Sequence, residues 1–325
     1  MGPGSAPPKR SLRRVLARIF VWILVSSLLG LIGLALTIWL LVDHYEARLP
    51  NVQQLRSSYR PPQVTRILAR DGTLLSEIFT ERRTVVPFSG VPSHTKLAFL
   101  AAEDAHFYEH EGLNYVGMLR ALVVNLRARR TVQGGSTITQ QVVKNVLLVS
   151  ERTYARKIQE TILARRLEQS LSKDEILSLY LNHIYLGHGR YGIEEAARVY
   201  FGKHASELDL AESALLAGIV ASPERFSPRR DAHRALERRR FVLAQMREKR
   251  FISAELEAAA NAEALQLAPM AEEESDLAPE AVALAKQMLE RIAPGQATRG
   301  GYVITTTIDP NLQAAARRAV RDNLR

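Results

Sequence analysis

The densest run of groups able to do chemistry is Glu103–Gly112, EDAHFYEHEG, which directly follows the apolar stretch Leu97–Ala102. Four acids, two histidines and two aromatics exceed what a solvated face requires. Two chemistries fit these residues. His106, Glu109 and His110 read H-x-x-E-H, an inverted zincin pattern in which histidines four apart share a helix face and bind zinc. Alternatively, Glu103 is a general acid or base at the end of an apolar wall, where desolvation raises its pKa toward working pH. A helix end with ordinary Glu–His ion pairs accounts for the decapeptide as well, because short metal patterns recur by chance.

Three further clusters follow. In Gln133–Asn145, QGGSTITQQVVKN, Gly134-Gly135 allows a tight turn and Ser136 or Thr137 can cap a helix whose free N–H groups suit an anion. Thr137, Gln141 and Lys144 form a polar stripe on that helix, opposite Ile138, Val142 and Val146. The pattern is not a Walker loop, which needs GK[ST] after the second glycine. In Arg152–Glu160, RTYARKIQE, Arg156 and Lys157 lie within one helical turn of Glu160. An exposed ion-pair network explains that spacing by itself. Glu160 gains a chemical role only if it shares a cleft with Glu103, leaving the cations to hold a phosphate. In Ile176–Lys203, ILSLYLNHIYLGHGRYGIEEAARVYFGK, Ser172 and Glu175 make a capping box, apolar residues repeat at helical spacing, Gly187 ends the helix and Gly189–Gly192 turn the chain into another.

The elements that position these groups follow from the rest of the pattern. From Ser93 to about Arg250 apolar residues recur at three and four positions, so this region is mostly α. Before it, Asn51–Pro62 reads as a polar linker, and Val64–Leu68 and Leu74–Phe79 flank Asp71-Gly72 as a β-hairpin. Ala258–Ala281 is Ala- and Glu-rich with little apolar periodicity, a helical or loose connector, whereas Tyr302–Ile308 is strand-like. A lone strand is unstable, so 302–308 is expected to pair with the hairpin, with Thr65 near Thr305, or to open a further domain.

Ile19–Val42 is 24 residues without a charge, enough to cross a hydrocarbon core of about 30 Å as a helix. The run is too long for a signal peptide and lacks a small-residue cleavage site, so a retained transmembrane helix is expected. Lys9, Arg10, Arg13, Arg14 and Arg18 precede it and place the N-terminus in the cytoplasm by the positive-inside rule. The whole chain has 325 residues, 44 Lys+Arg against 34 Asp+Glu, a formal charge of +10, and no cysteine. The missing cysteine excludes disulfide scaffolds, thiolate zinc and cysteine nucleophiles. Outside a bilayer, basic charge points to lipid headgroups and phosphates and not to nucleic acid.

The clusters EDAHFYEHEG, GGSTITQQVVKN, RKIQE and ILSLYLNHIYLGHGRYGIEEAARVYFGK, with ALLAGIVASPERFSP at Ala214–Pro228, resemble in order the five motifs of the peptidoglycan glycosyltransferase domain of class A penicillin-binding proteins and monofunctional transglycosylases. The resemblance spans roughly 90–250. It departs at Ser178, where the family often has Glu, which bears on that position alone. It implies a lysozyme-like α lobe with a small membrane-dipping jaw at Tyr115–Leu126, flanked by Arg120 and Arg127, acting on lipid II and the growing glycan strand. Glu103 is then the general base for the acceptor's 4-hydroxyl, undecaprenyl pyrophosphate leaves, and the anomeric centre inverts. Glu160 is the second catalytic carboxylate, which positions substrate, assists departure or holds a divalent ion such as magnesium or manganese at the pyrophosphate. Lys144, Arg152, Arg156 and Lys157 face the pyrophosphate, and Asp104, Phe107, Ser136, Thr137, Gln140, Gln141 and Asn145 lie in the same cleft. Within that motif H-x-x-E-H is accidental, so no metal ligands are assigned. A lysozyme-like muramidase is the rival reading, since an apolar-walled glutamate also hydrolyses glycans. A silent scaffold would show damage at Glu103 or Lys144, and both are intact.

The expected organisation is a basic cytoplasmic tail (1–18), a transmembrane helix (19–42), a linker with the hairpin (43–90), the glycosyltransferase domain (91–255), a connector (256–300) and the start of a further region (301–325). S-x-x-K occurs as Ser93–Lys96 and as Ser170–Lys173, both inside the main domain, and neither K-T-G nor S-x-N is present. YVITTTIDPNLQAAARRAVRDNLR resembles the opening of a transpeptidase half, so the chain is expected to be the N-terminal part of a bifunctional protein. The resemblance also implies a single-pass protein of the bacterial inner membrane with its catalytic domain outside, and other cell-wall synthesis proteins as partners.

Overall fold

The computed structural model describes residues 12–46, 49, 64–79, 81–129, 134–147, 154–269, 277–297 and 300–323. The expected linker at Asn51–Pro62 lies outside them. The structure is mostly helical. Helix α1 (Leu12–Glu46) contains the stretch Arg18–Thr37, of mean hydropathy 2.6, long and apolar enough to cross a membrane. Its described side chains lie exposed, including Phe20, Trp22 and Leu31. Apolar area of that size in water is costly, so this helix needs an apolar environment that the rest of the chain does not supply.

The hairpin is present as β1 (Thr65–Leu68) and β2 (Leu74–Ile78), antiparallel, with Gly72 at a positive φ of 89° in its turn. A two-residue strand β3 (Arg82–Arg83) follows. The late strand is shorter than the pattern suggests, β5 (Val303–Thr305), and pairs parallel with β1 in a sheet of order β2-β1-β5. Thr305 faces Leu68 across the ladder, and Thr65 instead accepts the Tyr302 N–H. Of the helical or loose connector expected before it, the stretch Pro279–Ile292 is a helix whose Val282 and Ala285 join Ile67, Ala69 and Leu75 in a small second core. Val282, Ala285 and Leu289 repeat at helical spacing, which the Ala/Glu-rich composition masked.

The main core is helical. Helix α2 (Ser93–Glu103) packs against α8 (Leu210–Ile219) and α10 (Ala232–Glu248). Helix α4 (Ile138–Val146) packs against α5 (Tyr154–Ser170) and α6 (Lys173–His183), and α5 also touches α1. Between α2 and α4 runs α3 (Tyr115–Ala128), with Tyr115, Val116, Leu119, Leu122 and Leu126 exposed and only Ala121 buried. Beyond α6 come the short strand β4 (Arg190–Tyr191), parallel to β3, then α7 (Ile193–Phe201) and the one-turn α9 (Pro223–Phe226). Ile138, Val142 and Val143 of α4 are fully buried, each worth about 1.5–3 kcal/mol of apolar transfer. The capping box Ser172–Glu175 starts α6 as the sequence predicts, and of the two cap candidates for α4 it is Thr137 that caps, in a reciprocal box with Gln140. Helix α6 ends at His183 with Ile184 as its cap, three residues before the expected stop, because β4 pairs with β3. Gly187 sits in the following turn at φ 90°.

Candidate active site

Glu103 is the last residue of α2, where the buried side chains of Phe99, Leu100 and Ala101 end against the polar turn. Its Oε2 accepts a 2.7 Å hydrogen bond from Gln141 Nε2 on α4. Desolvation by the packed helices raises its carboxyl above the usual range, the Gln141 bond and the Arg238 charge pull it back, and the neighbouring Asp104 charge raises it further. It is half-buried and holds a carboxylate that binds a proton more tightly than an exposed one. That combination suits a general base.

Asp104 faces inward. Its Oδ2 receives the Ile138 backbone N–H at 3.2 Å and meets His110 Nε2 at 2.9 Å, so it locks the start of α4 beside Glu103. Phe107 is buried edge-on to the His110 ring, with Lys173 Nζ 4.3 Å above its face. The zincin spacing forms no ligand pair. Residues 107–109 make a 3₁₀ turn in place of an α-helix, His106 Nδ1 pairs with Glu109 at 2.8 Å, and His110 is committed to Asp104. Thr137 and Gln140 spend their side chains on the reciprocal cap of α4, and Thr137 Oγ1 also donates to Gly112 O at 2.6 Å. Gly112 is held at φ 84°, and a Cβ there would meet Ala164 O at 2.9 Å. Asp104, Phe107, Thr137 and Gln140, grouped by sequence with the cleft residues, are thus buried behind it and position it.

The second carboxylate, Glu160, is buried on α5 and is bonded by Arg156 Nη1 and, at 3.0 Å, by Lys157 Nζ. Lys157 Nζ also donates to Ser136 Oγ at 3.1 Å, which brings the glycine turn against this cluster. Burial and the charges of Arg156 and Lys144 lower the Lys157 pKa. Two cations bonded to one carboxylate, with the Lys144 charge acting on Lys157, leave a positive excess that an anion relieves. Lys144 and Asn145 are exposed on α4. Gln141 and Lys144 lie three residues apart on one helix face, so α4 presents one residue to Glu103 and another to the cationic cluster. Arg152 lies outside the described residues. Glu160 is paired with Arg156 and Lys157, and no group of three acid or imidazole ligands occurs among the described residues.

Two residues of this region carry no signal in the sequence reading. Arg238 on α10 lies in an Arg run, yet it sits close enough for its charge to act on Glu103, donates to Gly218 O at 3.2 Å and stacks 4.6 Å from the Phe241 ring and 5.2 Å from that of Phe226. The buried stripe Ala235, Val242, Met246 was the available clue that this helix turns inward beside it. Tyr180 on α6 is fully buried, its hydroxyl facing the Glu103 and Asp104 charges without a hydrogen-bond partner.

The family model described as Transglycosylase matches residues 71–247. Penicillin-binding protein 1A of Rickettsia felis is 37% identical over 312 residues, covering 94% of this chain and 39% of that protein. The protein of the same name from Aquifex aeolicus is 45% identical over 235 residues, 71% of this chain and 32% of that one. That of Escherichia coli (strain K12) is 40% identical over 288 residues, 89% of this chain and 34% of that one. This chain therefore spans well under half the length of these relatives. A crystal structure of penicillin-binding protein 1A from Haemophilus influenzae aligns at a TM-score of 0.48 with 28% identity, over 82% of this chain and 30% of that one.

Proposed function

The chain belongs to the transglycosylase family, and from that premise we propose that it is a membrane-anchored peptidoglycan glycosyltransferase that polymerises lipid II into glycan strands. The observation that carries the reading is the division of labour along α4. Gln141 holds a desolvated Glu103 at one position, and Lys144 joins Arg156 and Lys157 in a cationic cluster at the next turn. A reaction that needs a base for a sugar hydroxyl and a cradle for an anionic leaving group needs these two features side by side.

In this mechanism Glu103 takes the proton of the acceptor 4-hydroxyl as the oxygen attacks the anomeric carbon of the donor. The bond to undecaprenyl pyrophosphate breaks, its electron pair stays on the phosphate oxygen, and the anomeric configuration inverts. Lys144 and Lys157 offset the charge that develops on the leaving group, while Glu160 holds Arg156 and Lys157 in place. Helix α1 spans the bacterial inner membrane with the N-terminus in the cytoplasm, and the exposed apolar face of α3 rests on the outer surface of the same bilayer. The test is incubation of the detergent-purified chain with labelled lipid II. Glycan polymer and released undecaprenyl pyrophosphate support the reading. Release of sugars from preformed glycan, with no polymer from lipid II, overturns it in favour of a hydrolase.

A further inference from the structure

A second cationic site lies at the junction of α9 and α10. A cavity of about 320 Å³ there is lined by Ser222, Glu224, Arg225, Arg230, Asp231 and Arg234. Its two carboxylates are already engaged. Glu224 accepts the Tyr185 phenol at 2.7 Å, and Asp231 accepts the Arg234 backbone N–H and pairs with Arg234 Nε, both at 3.1 Å. Arg225 and Arg230 have no carboxylate partner among the described residues, and both are exposed. Two guanidiniums therefore converge on one cavity with their forked donors uncommitted, the arrangement that receives a carboxylate bidentately.

The cavity borders the helix that packs on α2, whose last residue is Glu103. Arg234 stands one helical turn before Arg238 on α10. Phe226, which follows Arg225, stacks on that same Arg238 guanidinium at 5.2 Å. The phosphate-type cluster belongs to α5, the helix that touches the membrane anchor α1. The lysine cluster and the arginine cavity thus stand on different helices, α5 and α10. With the lipid-linked pyrophosphate at the lysine cluster, an anion at the arginine cavity is a different group of the substrate, and the other anionic groups of the glycan substrate are the carboxylates of its attached peptides.

We propose that Arg225 and Arg230 form a subsite for a carboxylate of the peptide carried by the glycan substrate. This rests on the glycosyltransferase reading above. It gives the site a means of preferring peptide-bearing sugars over naked ones, acting on substrate affinity and not on the chemical step.

The experiment measures binding without turnover. Fluorescence anisotropy follows a labelled soluble disaccharide-peptide with free carboxylates, and the same probe with those groups amidated, on the full chain and on Arg225→Gln, Arg230→Gln and the double variant. Each lost guanidinium is expected to weaken the free-acid probe about tenfold, with the amidated probe binding all four proteins alike. Inorganic pyrophosphate, titrated as a third ligand, is expected to bind the double variant as it binds the wild type. Equal affinity of the free-acid probe for wild type and double variant overturns the subsite, and so does a matching loss of pyrophosphate affinity, which would mark it as a phosphate site. Matching thermal unfolding of the four proteins shows that the comparison is between folded chains. Lipid II polymerisation by the wild type tests the underlying reading separately, so the two can fail independently.

Discussion

Replacing Gln141 with Met removes the hydrogen bond that Gln141 gives the Glu103 carboxylate while nearly preserving side-chain length. The amide donates at 2.7 Å to the charged form of Glu103, so it favours ionisation against the desolvation that opposes it. Without it the carboxyl holds its proton more tightly, and the base becomes available only at higher pH. A hydrogen bond to a charged group is worth about 1.5–3 kcal/mol, which corresponds to roughly ten- to hundredfold in the ionisation equilibrium. The readout is kcat/KM for lipid II across about pH 5–9, because its acid limb reports the free enzyme's base. On the acid side the variant is expected to fall by that factor relative to wild type, with the gap closing as pH rises. An acid limb that stays in place, or a loss of the same size at every pH, would refute this account of Gln141, the second by showing that the amide binds substrate instead.

Glu103→Gln is expected to be more stable than wild type by about 0.5–2 kcal/mol at pH 8 and equal to it at pH 4, measured by urea unfolding. The sign follows from the raised native pKa: the folded chain holds the Glu103 proton more tightly than the unfolded chain, so the ionised residue becomes a cost as pH rises past the unfolded value. Glu160→Gln leaves the half-buried Arg156 without its carboxylate and is expected to cost about 2–3 kcal/mol in the same assay, with part of the loss recovered on adding inorganic pyrophosphate. Tyr180→Phe removes a buried hydroxyl that has no partner, so its urea midpoint is expected to match or exceed the wild type, by up to about 1 kcal/mol; a clear destabilisation would show that the hydroxyl is bonded.

Local signals made most of the frame legible. The uncharged run of α1, the Asp71-Gly72 turn and the two capping boxes each depend on residues close in sequence, and each element stands where those residues put it. What escaped depends on packing between distant segments. The register of β5 is set by its ladder to β1, more than two hundred residues away, so the pairing of Thr305 with Leu68 has no local mark. Among the site residues, Glu103 and the Arg156–Lys157–Glu160 cluster were readable from spacing. The inward turn of Asp104 was not, since it depends on α4 delivering the Ile138 N–H to it. Thr137 and Gln140 show the converse case: polar residues beside a glycine turn resemble ligand contacts until the helix cap claims them. Arg238 comes near Glu103 because α10 packs on α2, and nothing in its neighbourhood of arginines distinguishes it.

The central claim is that Glu103 removes the proton from the attacking sugar hydroxyl. The measurement that tests it most directly is the rate of lipid II polymerisation by Glu103→Gln beside the wild type, with substrate affinity followed separately. The account predicts a fall in kcat of about 10²–10⁴-fold with KM nearly unchanged, because the amide keeps the shape of the carboxylate and loses only its ability to take a proton. A variant that polymerises at close to the wild-type rate would contradict it.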